Sequence, residues 1–133
     1  DSGAIAQALA GVYGPQDVKN VSKARMAKHF TSEGSVYTIS SRIRSKVQFK
    51  MHNLLADGFE RGFDLILCRN VVIYFTDEAK QALYVKFRES LKDDGILFIG
   101  GTETILNARD IGFMPTSSFF YRRMPLGKEA AAR

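Results

Sequence analysis

Apolar and polar residues alternate along the chain in a pattern that predicts short helices and strands in succession. Ala4, Ile5, Ala8 and Leu9 fall on one helical face and predict a helix over residues 1–10, ended by Gly11. Gly14-Pro15 marks a turn. Ser22 is a good N-cap for a second helix over residues 22–29, with Val21 and Met26 spaced as a hydrophobic staple. A turn follows at residues 31–34, then a strand at Val36-Tyr37-Thr38-Ile39 and a polar helical turn at residues 40–45. Residues 47–51 alternate as a half-buried strand does, and Asn53 lies just past its end.

The strongest signal runs from Phe63 to Phe75. Leu65 to Cys68 is a continuous apolar run, the mark of a parallel strand buried on both faces. Thr76 caps the next helix, in which Ala79, Leu83, Phe87 and Leu91 recur every four residues beside Ala82. Lys92-Asp93-Asp94-Gly95 ends that helix, with Gly95 suited to a left-handed cap, and Ile96-Leu97-Phe98-Ile99 is a second apolar strand. Residues 63–99 therefore read as strand, helix, parallel strand with a right-handed crossover. Residues 112–116 and 119–122 predict an antiparallel hairpin turning at Thr116-Ser117-Ser118. Residues 127–133, alanine-rich and charged, read as a frayed helix, a tail or an artificial remnant.

A length of 133 residues fits one α/β domain. No apolar run approaches the ~18 residues of a membrane span, so no membrane insertion is expected. Cys68 is the single cysteine; it excludes an internal disulfide and favours the reducing cytoplasm. His29 and His52 are isolated and suggest no metal. The net charge of +5 is concentrated: eight Lys/Arg and one acid, Glu33, lie between Lys19 and Lys50. Such a segment either attracts an acidic partner or is a solvated basic face. No nucleic-acid motif accompanies it, so no nucleic acid is expected as a partner.

Candidate chemistry collects at strand ends, where open α/β sheets bind ligands. Asn53, Arg69-Asn70 and Glu103 each follow a predicted strand. The alternative for the pair is a salt bridge and a loop cap, and for Glu103 the cap of a following helix. Gly100-Gly101 would let a backbone approach closely. No dinucleotide or Walker-type glycine motif is present.

Phe63-Asp64-Leu65-Ile66-Leu67-Cys68-Arg69-Asn70-Val71-Val72-Ile73-Tyr74-Phe75 resembles the signature of the chemotaxis receptor methyltransferases, the CheR family. The resemblance extends to Ala10-Gly11-Val12-Tyr13, to residues 47–55 as the family's third strand with its Asn-Leu-Leu, to residues 95–103 as its fifth, and to residues 118–123 as its terminal hairpin. It implies a partial Rossmann-like class I methyltransferase sheet, strands 3 to 7 of seven, with a small β-subdomain at residues 30–46. Residues 124–133 would be a tail.

The function implied is methyl transfer from S-adenosylmethionine to glutamate side chains on the cytoplasmic helices of chemoreceptors, leaving S-adenosylhomocysteine. Asn53 and Leu54 would lie against the adenosine, Arg69 and Asn70 would contact the cofactor, and Tyr74 would face the transfer pocket, with Arg69 sharing the catalytic role. A glutamate with a pKa near ~4.3 is already ionised at neutral pH, so neither a base nor a metal is required. The alternative is a non-catalytic module that docks on chemoreceptors or their regulators. Departures are Gly101 where the family has His and Asp93-Asp94-Gly95 where it has Pro-Gly-Gly or Pro-Asp-Gly. The family's glycine-rich loop and ribose-binding acid have no counterpart here.

The resemblance implies a sheet order of 3-2-1-4-5-7-6. Strands 1 and 2 would fall in the gap beside the fourth strand and leave one of its edges open. The chain is thus expected either to be part of a longer protein, inactive by itself, or to close that edge by another pairing such as a homodimer.

Overall fold

The computed structural model describes residues 1–100 and 103–125. Residues 127–133 and the Gly101-Thr102 pair lie outside the described residues. The chain divides into two compact units, residues 1–52 and residues 53–133.

The first unit carries helix α1 (Ser2–Ala10), strand β1 (Val12–Tyr13), helix α2 (Lys23–His29), strands β2 (Phe30–Glu33) and β3 (Val36–Ile39), and the short helix α3 (Ser41–Arg44). The Asp1 carboxylate caps α1 by accepting from the amides of Gly3 and Ala4, and Gly11 ends it in the left-handed region at φ 66°. A side chain at Gly11 would also stand 2.8 Å from the Arg44 side chain. Ile5 and Ala8 are only half-buried and Leu9 is exposed, so the predicted apolar face does not form a buried stripe. Ser22 and Ser40 cap α2 and α3 through their hydroxyls, as the sequence predicts for α2. The strands form an antiparallel sheet in the order β1-β3-β2. Its hairpin turns at Gly34-Ser35 rather than over residues 31–34, because Thr31, Ser32 and Glu33 pair with β3. Residues 47–51 form no strand. Alternation alone does not make a strand; a ladder of backbone hydrogen bonds to another strand is needed as well.

The second unit contains β4 (Phe63–Leu67), a 3₁₀ turn (Val72–Tyr74), α4 (Asp77–Ser90), β5 (Leu91–Phe98), α5 (Ala108–Ile111), β6 (Phe113–Ser117) and β7 (Phe120–Arg123). The sheet order is β4-β5-β7-β6, with β4 and β5 parallel and the hairpin antiparallel. It is the 4-5-7-6 half of the expected methyltransferase sheet, and the fold is a partial Rossmann-like one. The expected third strand is not among its members.

The core lies between the sheet and α4. Leu83, Tyr84, Phe87 and Leu91 meet Leu97, Ile99, Phe113 and Tyr121 there, with Ile105 and Ile111 from the loop and helix beyond β5. Arg88 is buried too, and its Nε and Nη2 donate to the Met124 carbonyl, tying α4 to the chain after β7. Thr76 caps α4 as predicted.

Three expectations are corrected. The run 63–68 is not buried on both faces: among the described residues β4 is an edge strand paired with β5 alone, as the implied open edge requires, and Leu67 is 63% exposed. The left-handed residue after α4 is Asp94 (φ 63°), not Gly95. Gly95 is required for a different reason, since a side chain there would stand 2.9 Å from the Lys92 carbonyl where β5 is bulged against β4. The hairpin turns at Ser118-Phe119, with β6 extending through Ser117.

Candidate functional site

The carboxyl end of β4 delivers Cys68, Arg69 and Asn70 in succession. Cys68 stays with the core: its amide donates 2.9 Å to the Phe98 carbonyl and its side chain is buried. Burial pushes its thiol pKa up, so it remains a protonated, unreactive hydrophobe. Past it the strand ends, and Arg69 and Asn70 emerge into solvent. Asn70 turns the chain at φ 58°, a left-handed conformation that asparagine tolerates better than most residues. Arg69 crosses the end of β5, where a Cβ on Gly100 would lie 3.7 Å from its Cγ and Nε. Gly100 itself is left-handed at φ 84°. The guanidinium makes no salt bridge and Asn70 caps no helix among the described residues, so both side chains are open to a ligand.

The 3₁₀ turn then buries Val72 completely and turns Tyr74 outward, 82% exposed. Arg69, Asn70 and Tyr74 thus belong to one short connection between β4 and α4.

Asn53 and Leu54 sit on a separate turn and not at a strand end. The Asn53 side chain accepts from the Leu55 amide at 3.0 Å, and its own amide donates to Asp57 at 2.8 Å. That leaves the Asn53 Nδ2 group as an outward donor. Leu54 packs on the core, while Lys86 of α4 donates to the Leu55 carbonyl at 3.5 Å and lies over the Phe59 ring. The turn is therefore fixed to α4.

Glu103 caps no helix: the N-cap of α5 is Asn107, with no side-chain bond. It pairs instead with Lys80, at 3.5 Å. Next to this pair, Tyr84 is 2% exposed and its hydroxyl has no hydrogen-bond partner among the described residues. Sequence reasoning overlooked Lys80 and Tyr84. Their i, i+4 spacing places them on one helix face, but only the fold brings Glu103 to it.

Burial, followed by the Glu103 carboxylate, raises the Tyr84 pKa from 10.0 to about 12. The folded state then holds this proton more tightly than the unfolded chain does. The resulting stability is complete below pH 10.0 and is lost as the pH rises toward about 12. Denaturant midpoints compared at about pH 9 and about pH 11.5 should fall more for the native sequence than for Tyr84→Phe. Equal falls would contradict the shift.

S-adenosylmethionine presents a carboxylate, an ammonium, ribose hydroxyls and an adenine edge. Arg69, Asn70 and the Asn53 amide supply the donors such a molecule needs, and Leu54 an apolar surface. These residues fit it, though they make only part of a cradle. Among the described residues no group of three or more His, Cys, Asp or Glu is gathered for a metal. No described helix is long and apolar enough to cross a membrane.

Residues 1–120 match the family model described as "CheR methyltransferase, SAM binding domain". A "Chemotaxis protein methyltransferase" of Listeria monocytogenes is 44% identical over 117 residues, 88% of this chain and 45% of that protein. One of the same description from Listeria innocua is 42% identical over the same shares of each chain. "Chemotaxis protein methyltransferase 1" of Pseudomonas aeruginosa is 35% identical over 94 residues, 69% of this chain and 34% of that protein. The chain spans less than half the length of these relatives. With a match over residues 1–120 and a sheet order that agrees, the chain belongs to the CheR methyltransferase family, whose cofactor is S-adenosylmethionine.

Proposed function

We propose that this chain forms part of a protein-glutamate O-methyltransferase that acts on the cytoplasmic helices of chemoreceptors. The observation that carries the reading is the connection after β4, in which Arg69, Asn70 and Tyr74 are all exposed while Cys68 before them and Val72 between Asn70 and Tyr74 are buried. The Listeria relatives bear the name chemotaxis protein methyltransferase, which supports the reading.

S-adenosylmethionine, when bound, supplies an electrophilic methyl group on a sulfonium. The chain's own residues bind and orient. Arg69 offers a fixed positive fork for a carboxylate, Asn70 and the Asn53 Nδ2 group offer amide donors, and Leu54 offers an apolar wall. Tyr74 faces outward, where an acceptor side chain would approach. A glutamate is already a carboxylate at neutral pH, so positioning and exclusion of water suffice. The 133 residues contain neither the glycine-rich loop nor the ribose-binding acid expected of the family, so by themselves they should transfer no methyl group.

The test uses the longer protein with a receptor cytoplasmic fragment and methyl-labelled cofactor. Label should be released as methanol by mild alkali, the mark of a carboxyl methyl ester. Alkali-stable label, as on nitrogen, would overturn the glutamate assignment.

A further inference from the structure

Leu106, on the connection from β5 to α5, stands as a ridge between two clefts and lines both. One, of about 460 Å³, opens toward the first turns of α4. The other, of about 310 Å³, opens toward α5 and β6. The Leu106 side chain is 94% exposed, while Ile105 before it and Ala108 after it are buried.

A lone exposed leucine is ordinary on a protein surface. This one is held out by the groups around it. Lys80 of α4 pairs with Glu103 at 3.5 Å. The Ile105 amide donates to the hydroxyl of buried Tyr121 at 3.1 Å. The side-chain amides of Gln81 and Asn107 exchange two hydrogen bonds, at 2.9 and 3.3 Å. Tethers at positions 103, 105 and 107 thus bracket Leu106. A loop free to rearrange would turn such a side chain inward and take its apolar surface out of water. This loop keeps it out, so a partner meets a knob that needs no further ordering on docking.

The place and shape of the ridge indicate what meets it. Asp77, which lines the larger cleft, is three residues after Tyr74, so the ridge borders the connection proposed to face the acceptor. A ridge with a cleft on each side fits a helix, whose side chains at i and i+3 or i+4 stand about 5–6 Å apart on one face and can enter both clefts. An extended peptide docks by adding to a sheet edge, and residues 103–107 form no strand. The charged residues of the clefts are of both signs, Lys80 and Arg109 with Asp77, Glu103 and Asp110, so a polyanion such as nucleic acid is not selected.

We propose that Leu106 is the knob on which a helix of the protein acceptor docks, straddling it with two side chains, so that it helps to select which acceptor reaches the methyl group. The identity of the partner rests on the function proposed above, whereas the docking is read by binding and not by methyl transfer. The test is the affinity of the longer protein for a fluorescently labelled receptor cytoplasmic fragment, with the native sequence and with Leu106→Ala, Leu106→Glu and Leu106→Met. Leu106→Ala should weaken binding about tenfold, the scale of one buried leucine side chain. Leu106→Glu should weaken it further, and Leu106→Met should stay within about twofold because it keeps the volume. In steady-state methyl transfer KM should rise in step with the lost affinity while kcat holds, as for a contact made equally before and in the transition state.

Melting temperatures should not move, because Leu106 is exposed and unfolding is then no explanation for lost binding. Native affinity in Leu106→Glu, no binding of the fragment by the native protein, or a fall in kcat at unchanged KM would each overturn the proposal. So would sedimentation showing a dimer of this chain that Leu106→Glu abolishes, since the ridge would then serve a second copy. Leu106-dependent binding together with alkali-stable label would support the docking and overturn only the glutamate assignment.

Discussion

Replacing Phe113 by alanine should lower the stability of the second unit by about 3–5 kcal/mol. Phe113 opens β6 with 0% exposure and meets Tyr121 edge to face, with ring centroids 6.3 Å apart and planes at 69°. It lies in the same cluster as Leu83, Phe87 and Leu97, so truncation empties a ring-sized volume where sheet and helix meet. Two terms add: the transfer free energy of the ring and the cavity that close packing cannot refill. Domains are stable by only ~5–15 kcal/mol, so a large share would be lost. Urea denaturation followed by far-ultraviolet circular dichroism measures it. Leu106→Ala, at an exposed position, is the control and should stay within about 0.5 kcal/mol. A loss below about 1 kcal/mol at Phe113 would mean that the core is not centred where the structure places it.

Arg69→Ala in the longer protein should reduce kcat/KM for methyl transfer about 100-fold, the scale on which a misplaced or missing positioning group acts. Stability should hardly change, because Arg69 is exposed and caps nothing. Arg69→Lys keeps the charge but loses the planar fork, so it should recover only part of the activity. Rates near the native value for Arg69→Ala would mean that Arg69 holds no ligand in the reaction. A matching fall in melting temperature would make its role structural. Gly100 sharpens the point, since Arg69 lies across a position where no side chain is present to displace it.

The candidate site was legible in the sequence to an unusual degree, because it is local. Arg69, Asn70 and Tyr74 lie within six residues, and a strand that stops after Cys68 must turn the next side chains away from the core. Buried Cys68 and Val72 on either side of exposed neighbours follow from the apolar pattern itself. Asn53 is the counterexample. Its place depended on a strand at residues 47–51, and no strand forms there. Its turn is fixed instead by Asp57 and by Lys86, the second of which is 33 residues away in sequence.

By itself, the sequence determined the local elements and the family. Serine and threonine caps before α2 and α4 appear where the hydroxyls have amides to accept from, and the four-residue apolar repeat of α4 puts Leu83 and Phe87 in the core. The apolar runs of β4 and β5 pair in parallel as expected, because the connecting helix needs that crossover to cover the sheet. Tertiary structure alone decided which of these strands is buried. Composition reads β4 as buried on both faces, and the family resemblance already implied an open edge; among the described residues β4 pairs with β5 alone, and most of its side chains stay exposed. The same holds for Tyr84: a tyrosine on the inner face of a helix is ordinary in sequence, and only the fold buries its hydroxyl, with no hydrogen-bond partner among the described residues and the Glu103 carboxylate raising its pKa.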